Sequence, residues 1–61
     1  MTRQYALCML LEHGPMSRAE LLSCTGWRAQ VLRGALSACL GKGWLCMRNH
    51  GGRCMFEVAT A

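Results

Sequence analysis

Acidic residues are scarce in this sequence and absent from its middle. The chain has three aspartate or glutamate residues against seven lysine or arginine residues, which gives a net charge of +4. The three are glutamates at positions 12, 20 and 57, so the segment 21–56 carries basic residues and no carboxylate. Such a segment favours a polyanionic partner. A solvated basic face without a partner is the alternative.

The sequence also lacks a hydrophobic run long enough to cross a membrane. Its longest apolar run is the seven residues Tyr5–Leu11, whereas a transmembrane helix needs about 20. The sequence shows no charged n-region followed by a small-residue cleavage site, which is the pattern of a signal peptide. These absences predict a protein with no membrane partner, located in the cytoplasm.

Catalytic patterns are missing as well. No nucleophile and base have the spacing of a catalytic pair, and no glycine-rich motif is suited to cradle a phosphate, so we expect no enzymatic activity. A length of 61 residues predicts a single domain over 1–61. The apolar fraction of 52% indicates a dense core or a surface used for association.

The five cysteines include no C-x-x-C pair, and their number is odd. Most of them occupy positions where an apolar residue is expected. We therefore interpret them as buried reduced thiols and expect neither a metal nor another cofactor. A metal or redox sensor is the minor alternative, and its best-spaced ligands are Cys46 and Cys54, with His50 between them.

Capping patterns mark the first two helices. Residues 3–13 contain no helix breaker, Thr2 can cap their N-terminus, and Gly14-Pro15 ends the helix. Ser17 and Glu20 then have the spacing of a capping box, which opens a second helix. The predicted packing face of the second helix consists of Leu21, Leu22 and Cys24.

The first helix is apolar over nearly its whole circumference. One face carries Ala6, Leu7 and Leu10, and the remaining apolar side chains are Cys8, Met9 and Leu11. A helix of this kind is either central to a core or shared with a partner. Both alternatives stay open, and the second predicts a homodimer or a partner protein that binds this helix.

A turn at Thr25-Gly26 leads to a third helix over about 28–42. Its apolar stripe, at spacings of three, four and seven, consists of Leu32, Ala35, Leu36 and Cys39. Alternating residues then predict two strands, with half-buried positions at Leu45, Met47, Cys54, Phe56 and Val58. The turn between the strands is predicted at Asn49-His50-Gly51-Gly52.

The segment 17–45, SRAELLSCTGWRAQVLRGALSACLGKGWL, resembles the helix-turn-helix core of winged-helix transcription regulators. The matching positions are Gly26 in the turn, Trp27 after it, and the helix ending Leu36, Cys39 and Gly43. The following NHGGR occupies the place of that family's wing. In size the chain is similar to small fimbrial regulators of the PapI/FaeA type and to short phage-encoded regulators. Arg28 stands where many relatives have a capping serine or threonine.

This resemblance implies an α+β winged helix-turn-helix fold of three helices and a C-terminal hairpin wing. It also implies a sequence-specific transcriptional regulator whose third helix reads the major groove of double-stranded DNA, with the basic wing on the backbone or minor groove. The candidate DNA-binding residues of the helix are Arg28, Gln30, Val31, Arg33 and Ser37. Those of the wing are Arg48, Asn49, His50 and Arg53.

Other residues of the same region receive structural interpretations. Trp27 and Trp44 are expected to pack rather than to stack on bases, and His50 is interpreted as a solvated loop residue rather than a pH sensor. A module of this size buries little duplex, so a homodimer or cooperative binding to repeated sites is expected. The alternative function is a winged-helix protein-interaction module that acts through its apolar first helix.

Overall fold

A computed structural model of the chain describes residues 2–59. Three helices precede an antiparallel hairpin, which confirms the predicted small α+β architecture. The elements are α1 (Arg3–Leu11), α2 (Arg18–Thr25), α3 (Ala29–Lys42), β1 (Leu45–His50) and β2 (Arg53–Val58). Residues 1, 60 and 61 of the predicted domain lie outside this description. No helix within residues 2–59 has the length and apolar character needed to cross a membrane.

The predicted caps of α1 and α2 are present. The Thr2 hydroxyl accepts a hydrogen bond from the Tyr5 N–H at 3.1 Å. At α2, the Ser17 hydroxyl accepts from the Glu20 N–H at 3.2 Å, and the Glu20 carboxylate accepts from the Ser17 N–H at 3.0 Å, which confirms the capping box. Helix α1 ends earlier than the predicted residue 13, because the N–H groups of residues 13 and 14 bond three residues back.

Helix α3 starts one residue later than expected. Arg28 is its N-cap, with the extended backbone angles φ −72° and ψ 152°, and its side chain makes no capping hydrogen bond. The predicted apolar stripe is confirmed, since its four residues are all buried. Gly26 ends α2 at a φ of 70°, which leaves room for the short link into α3.

The hairpin turn is tighter than predicted. Asn49 and His50, which were expected in the turn, belong to β1, and only Gly51 and Gly52 connect the strands. Both glycines have positive φ, 60° and 86°, as a two-residue turn of type I′ requires. Pairing therefore extends to the tip, where His50 lies opposite Arg53.

One residue of the link between α1 and α2 joins the hairpin. The Met16 N–H donates to the Phe56 carbonyl at 3.0 Å, and the Phe56 N–H donates to the Met16 carbonyl at 2.8 Å. Strand β2 thus has backbone partners on both sides, β1 and Met16. This pairing fixes the base of the hairpin beside the start of α2.

The core lies between the three helices and the base of the hairpin. Its buried members are Leu7, Leu11, Leu21, Leu32, Ala35, Leu36, Cys39, Leu45 and Phe56. Three positions predicted to be apolar contacts are instead exposed: Cys24, Met47 and Cys54. Met47 and Cys54 belong to the distal half of the hairpin, which extends beyond the helices. Cys24 lies on the side of α2 that faces solvent, whereas Leu21 is buried and Leu22 is half-buried.

Candidate nucleic-acid interface

The solvent-facing side of α3 forms a continuous line. The exposed residues Gln30, Gly34, Ser37 and Gly41 follow one another at spacings of three or four, and the exposed Arg33 adjoins Gly34. We call this set the α3 outer line. The sequence pattern drew attention to the polar members but not to the two glycines, where a Cβ atom would meet no atom within 4 Å. The helix backbone is therefore open to close approach at these points.

Two arginines lie at the N-terminal end of α3, one at the N-cap and one within the line. Arg28 at the N-cap and Arg33 in the second turn are both exposed. Among residues 2–59, neither guanidinium has a carboxylate within salt-bridge distance, because the ion pairs present all involve Glu57. Both charges are thus available to a ligand at the same end of the helix.

An open groove separates this end of α3 from the start of α1. Gln30 and Val31 line it from α3, and Arg3 lines it from α1, around a volume of about 850 Å³. Val31, predicted to contact DNA, is half-buried in the groove wall, so only part of its side chain is exposed to a ligand. Arg3 was not among the predicted residues, because its approach to Gln30 depends on how the two helices pack. Trp27 also lines the groove while it packs against the core, as expected.

The pairing register brings three of the predicted DNA-binding residues to one face of the hairpin. Alternate residues of a strand share a face, so Arg48 and His50 on β1 lie on the same face as Arg53 on β2. We call this face the hairpin outer face. Asn49 lies on the opposite face, and its amide oxygen accepts a hydrogen bond from the Gly52 N–H at 2.9 Å. The structure therefore gives Asn49 a role in the turn.

Glu57 lies on the same outer face and contacts both Arg48 and His50 there. Its Oε1 atom is 2.9 Å from His50 Nε2 and 3.6 Å from Arg48 Nε. The expectation of a basic region without an opposing carboxylate is therefore wrong for the hairpin, because strand pairing places Glu57 beside Arg48. His50 is likewise more than a solvated loop residue, although its side chain is 43% exposed.

The cysteines do not form the hypothesised metal site. Cys46 lies on the hairpin outer face and Cys54 on the opposite face, so the register prevents them from binding one ion. No group of three potential metal ligands occurs within residues 2–59. The interpretation as buried thiols holds fully only for Cys39, whose pKa is raised by burial. Cys8 and Cys46 are half-buried, and Cys24 and Cys54 are exposed.

A second exposed surface is apolar. Tyr5 and Met9 of α1 are 54% and 44% exposed, and Trp44 is 45% exposed. Tyr5 and Trp44 line a shallow depression of about 370 Å³. We call these three residues the apolar patch. Trp44 was expected to pack, but nearly half of it faces solvent, with the Lys42 ammonium 4.5 Å from its ring centroid.

No protein-family model, no curated protein and no solved structure matches this chain. A functional argument therefore depends on the residues themselves and on their geometry.

Proposed function

We propose that this chain is a sequence-specific DNA-binding transcriptional regulator with a winged-helix fold. In this proposal α3 is the recognition helix in the major groove, and the hairpin is a wing on the backbone or in the minor groove. The protein acts on double-stranded DNA in the cytoplasm, associated with the nucleoid.

The α3 outer line is the observation that carries the proposal. It offers one amide, one guanidinium and one hydroxyl, which are groups that read base edges: glutamine pairs with adenine, and arginine pairs with guanine. Gly34 and Gly41 add no side chain between the helix backbone and a base pair. No carboxylate pairs with Arg28 or Arg33 among residues 2–59, so phosphate contacts at this end meet no internal competitor.

The hairpin outer face supports the same function. Arg48, His50 and Arg53 lie on one face near a turn of only two glycines. A narrow basic tip can follow a groove or the backbone, where arginine is attracted by the negative potential. The Met16–Phe56 pairing holds the base of the hairpin next to the core, and the distal half of the hairpin extends from this base.

Two copies acting together would supply the affinity that one small module lacks. Specific interfaces with DNA bury about 1,000–2,500 Å² of protein surface, and single modules bury less. The apolar patch lies on α1 and Trp44, whereas the outer line lies on α3, so a homodimer formed through the patch leaves α3 exposed. Such a dimer would place two recognition helices on two half-sites.

Fluorescence anisotropy with a random duplex at a series of salt concentrations tests this function. Three or four phosphate contacts predict a slope of about −3 in log K against log salt. Selection from a random duplex pool should then enrich one sequence. Absence of binding at about 50 mM salt, or enrichment of no sequence, would overturn the proposal.

A protein-interaction module is the second candidate function, and the exposure of Tyr5, Met9 and Trp44 favours it. Its simplest partner is a second copy of the chain. Sedimentation velocity should show that the wild-type protein self-associates and that Met9→Glu is monomeric. Met47→Glu is the matched control, because Met47 is 51% exposed but lies on the hairpin, outside the patch. Self-association that survives Met9→Glu would exclude the patch as the contact.

A further inference from the structure

We propose that Glu57 limits DNA binding by the hairpin: it holds Arg48 and His50 on the hairpin outer face and competes with phosphate for the Arg48 guanidinium. This inference rests on the proposed function and assigns a role to the one acidic residue within the candidate site. A phosphate that contacts Arg48 has to compete with this carboxylate.

A single carboxylate oxygen contacts two basic side chains, one by a hydrogen bond and one by an ion pair. Glu57 Oε1 lies 2.9 Å from His50 Nε2 and 3.6 Å from Arg48 Nε. The Glu57 side chain is 25% exposed, against 64% for Arg48 and 43% for His50. The carboxylate is thus the least exposed member of the group, and an external anion can reach the more exposed Arg48 and His50 side chains.

Strand pairing fixes the carboxylate in this place. Glu57 lies opposite Cys46, one pair away from the Arg48↔Met55 pair and on the same face. Diagonal neighbours across an antiparallel pair lie within reach of long side chains. Phe56, the residue before Glu57, is buried and bonded to Met16 on its other edge, which holds this part of β2 against the core.

The other two carboxylates cannot take this role. Glu20 accepts the Ser17 N–H in the capping box of α2, and Glu12 is exposed at the end of α1. Neither forms an ion pair among residues 2–59. Arg53 of the hairpin outer face has no carboxylate within ion-pair distance there, although its charge helps to lower the pKa of Glu20. Glu57 is therefore the carboxylate that contacts Arg48 and His50.

Opposition by Glu57 weakens binding to every duplex that contacts Arg48. The free protein is the common reference state, so the cost of giving up the Glu57 contact is the same on a random and on a selected duplex. Exposed ion pairs and phosphate contacts are of similar strength, so exchange of one anion for the other brings little net gain. Arg48 therefore contributes little to affinity while Glu57 is present.

The test compares Glu57→Gln with the matched control Glu12→Gln, which removes the same charge at the end of α1. Anisotropy is measured with a random duplex and with the duplex selected by the wild-type protein. For Glu57→Gln we expect random binding to tighten about threefold to tenfold and the salt slope to steepen by about 1. Binding to the selected duplex should tighten by a similar factor, and Glu12→Gln should change either affinity less than about twofold.

Two further measurements separate this role from a general charge effect. In the free protein, the NMR signals of the His50 ring and of Arg48 Nε–H should shift in Glu57→Gln and stay in place in Glu12→Gln. Addition of Arg48→Ala to Glu57→Gln should remove most of the affinity gain, because Arg48 supplies the released charge.

The outcomes distinguish the two proposals. If the wild-type protein binds duplex but Glu57→Gln binds no more tightly than Glu12→Gln, this inference is wrong and the proposed function stands. Unchanged His50 and Arg48 signals would also overturn it. If no variant binds duplex at low salt, both the proposed function and the inference are wrong.

Discussion

The α3 outer line and the hairpin outer face both present cations to solvent, but their surroundings differ. Arg28 and Arg33 beside α3 have no carboxylate near them among residues 2–59, whereas Arg48 and His50 share Glu57. The two surfaces carry similar numbers of basic residues in the sequence. The positive charge that a ligand can contact is nevertheless unequal, because the fold places a carboxylate beside Arg48 and none beside Arg28 or Arg33 among residues 2–59.

The two surfaces also differ in support. Helix α3 contributes four buried residues to the core along its length. The distal half of the hairpin contributes none, and Met47 and Cys54 there are exposed. A surface built on packed residues keeps its geometry, while few buried contacts allow local opening. We therefore assign base reading to α3 and an adaptable backbone contact to the hairpin.

Removal of arginines in pairs should expose the charge difference most strongly. The double variant Arg28→Ala/Arg33→Ala should flatten the salt slope by about 1.8 and weaken random-duplex binding on the order of 100-fold at low salt. The pair Arg48→Ala/Arg53→Ala should have an effect below about tenfold, since Arg48 is already partnered by Glu57. Equal losses in anisotropy titrations for the two pairs would remove the distinction between the surfaces.

Gln30→Ala tests whether α3 reads bases. The variant should lose about 1–3 kcal/mol on the selected site and relax the preference at one base position. Random-duplex affinity should barely change, because a neutral side chain releases no counterion. Arg53→Ala is the contrasting variant, with a loss expected on all sequences alike. A uniform loss for Gln30→Ala would mean that Gln30 contacts only the backbone.

Ser17→Ala tests how firmly the base of the hairpin is held. Loss of the hydroxyl that accepts the Glu20 N–H should lower the free energy of unfolding by about 0.5–2 kcal/mol in urea titrations. Since Ser17 follows Met16, amide exchange at Phe56 should also accelerate. Unchanged stability would show that the cap does not support this junction.

The same cap predicts a dependence on pH. Hydrogen bonds from the Ser17 backbone and then its hydroxyl lower the pKa of Glu20 below its ordinary 4.5. Because the pKa of Glu20 is lower in the folded than in the unfolded protein, its carboxylate stabilises the fold above pH 4.5. This stabilisation is lost as the pH falls through the folded pKa. The stability difference between wild type and Glu20→Gln should therefore shrink on acidification below about pH 4. A difference that stays constant from pH 7 to pH 3 would contradict this assignment.

Gly34→Ala should change the free energy of unfolding least, and it should raise it, whereas Ser17→Ala lowers it. Alanine in an exposed helix interior stabilises by about 0.5–1 kcal/mol relative to glycine, and a Cβ at this position meets no atom within 4 Å. Gly41→Ala provides a second glycine of the same line for comparison. If close approach of DNA uses Gly34, the more stable variant should bind the selected site more weakly. Unchanged affinity would place the duplex farther from this part of α3.

Local patterns predicted the parts of the fold that depend on neighbouring residues. The capping box at Ser17, the buried stripe of α3 and the glycine turn each follow from spacing within a few positions. The exposure of Met47 and Cys54 did not follow, because alternation shows which residues share a face but not whether a helix covers it. The contact of Glu57 with Arg48 depends on strand register, which a tight two-residue turn sets.

Backbone amide NMR during titration with the selected duplex tests the central claim most directly. At low salt, the largest shifts should fall on Gln30, Arg33, Gly34 and Ser37, with smaller shifts on the hairpin outer face. Tyr5 and Met9 in the apolar patch should shift little at a fixed state of association. Shifts concentrated on Tyr5 and Met9, with α3 unaffected, would contradict DNA recognition through α3.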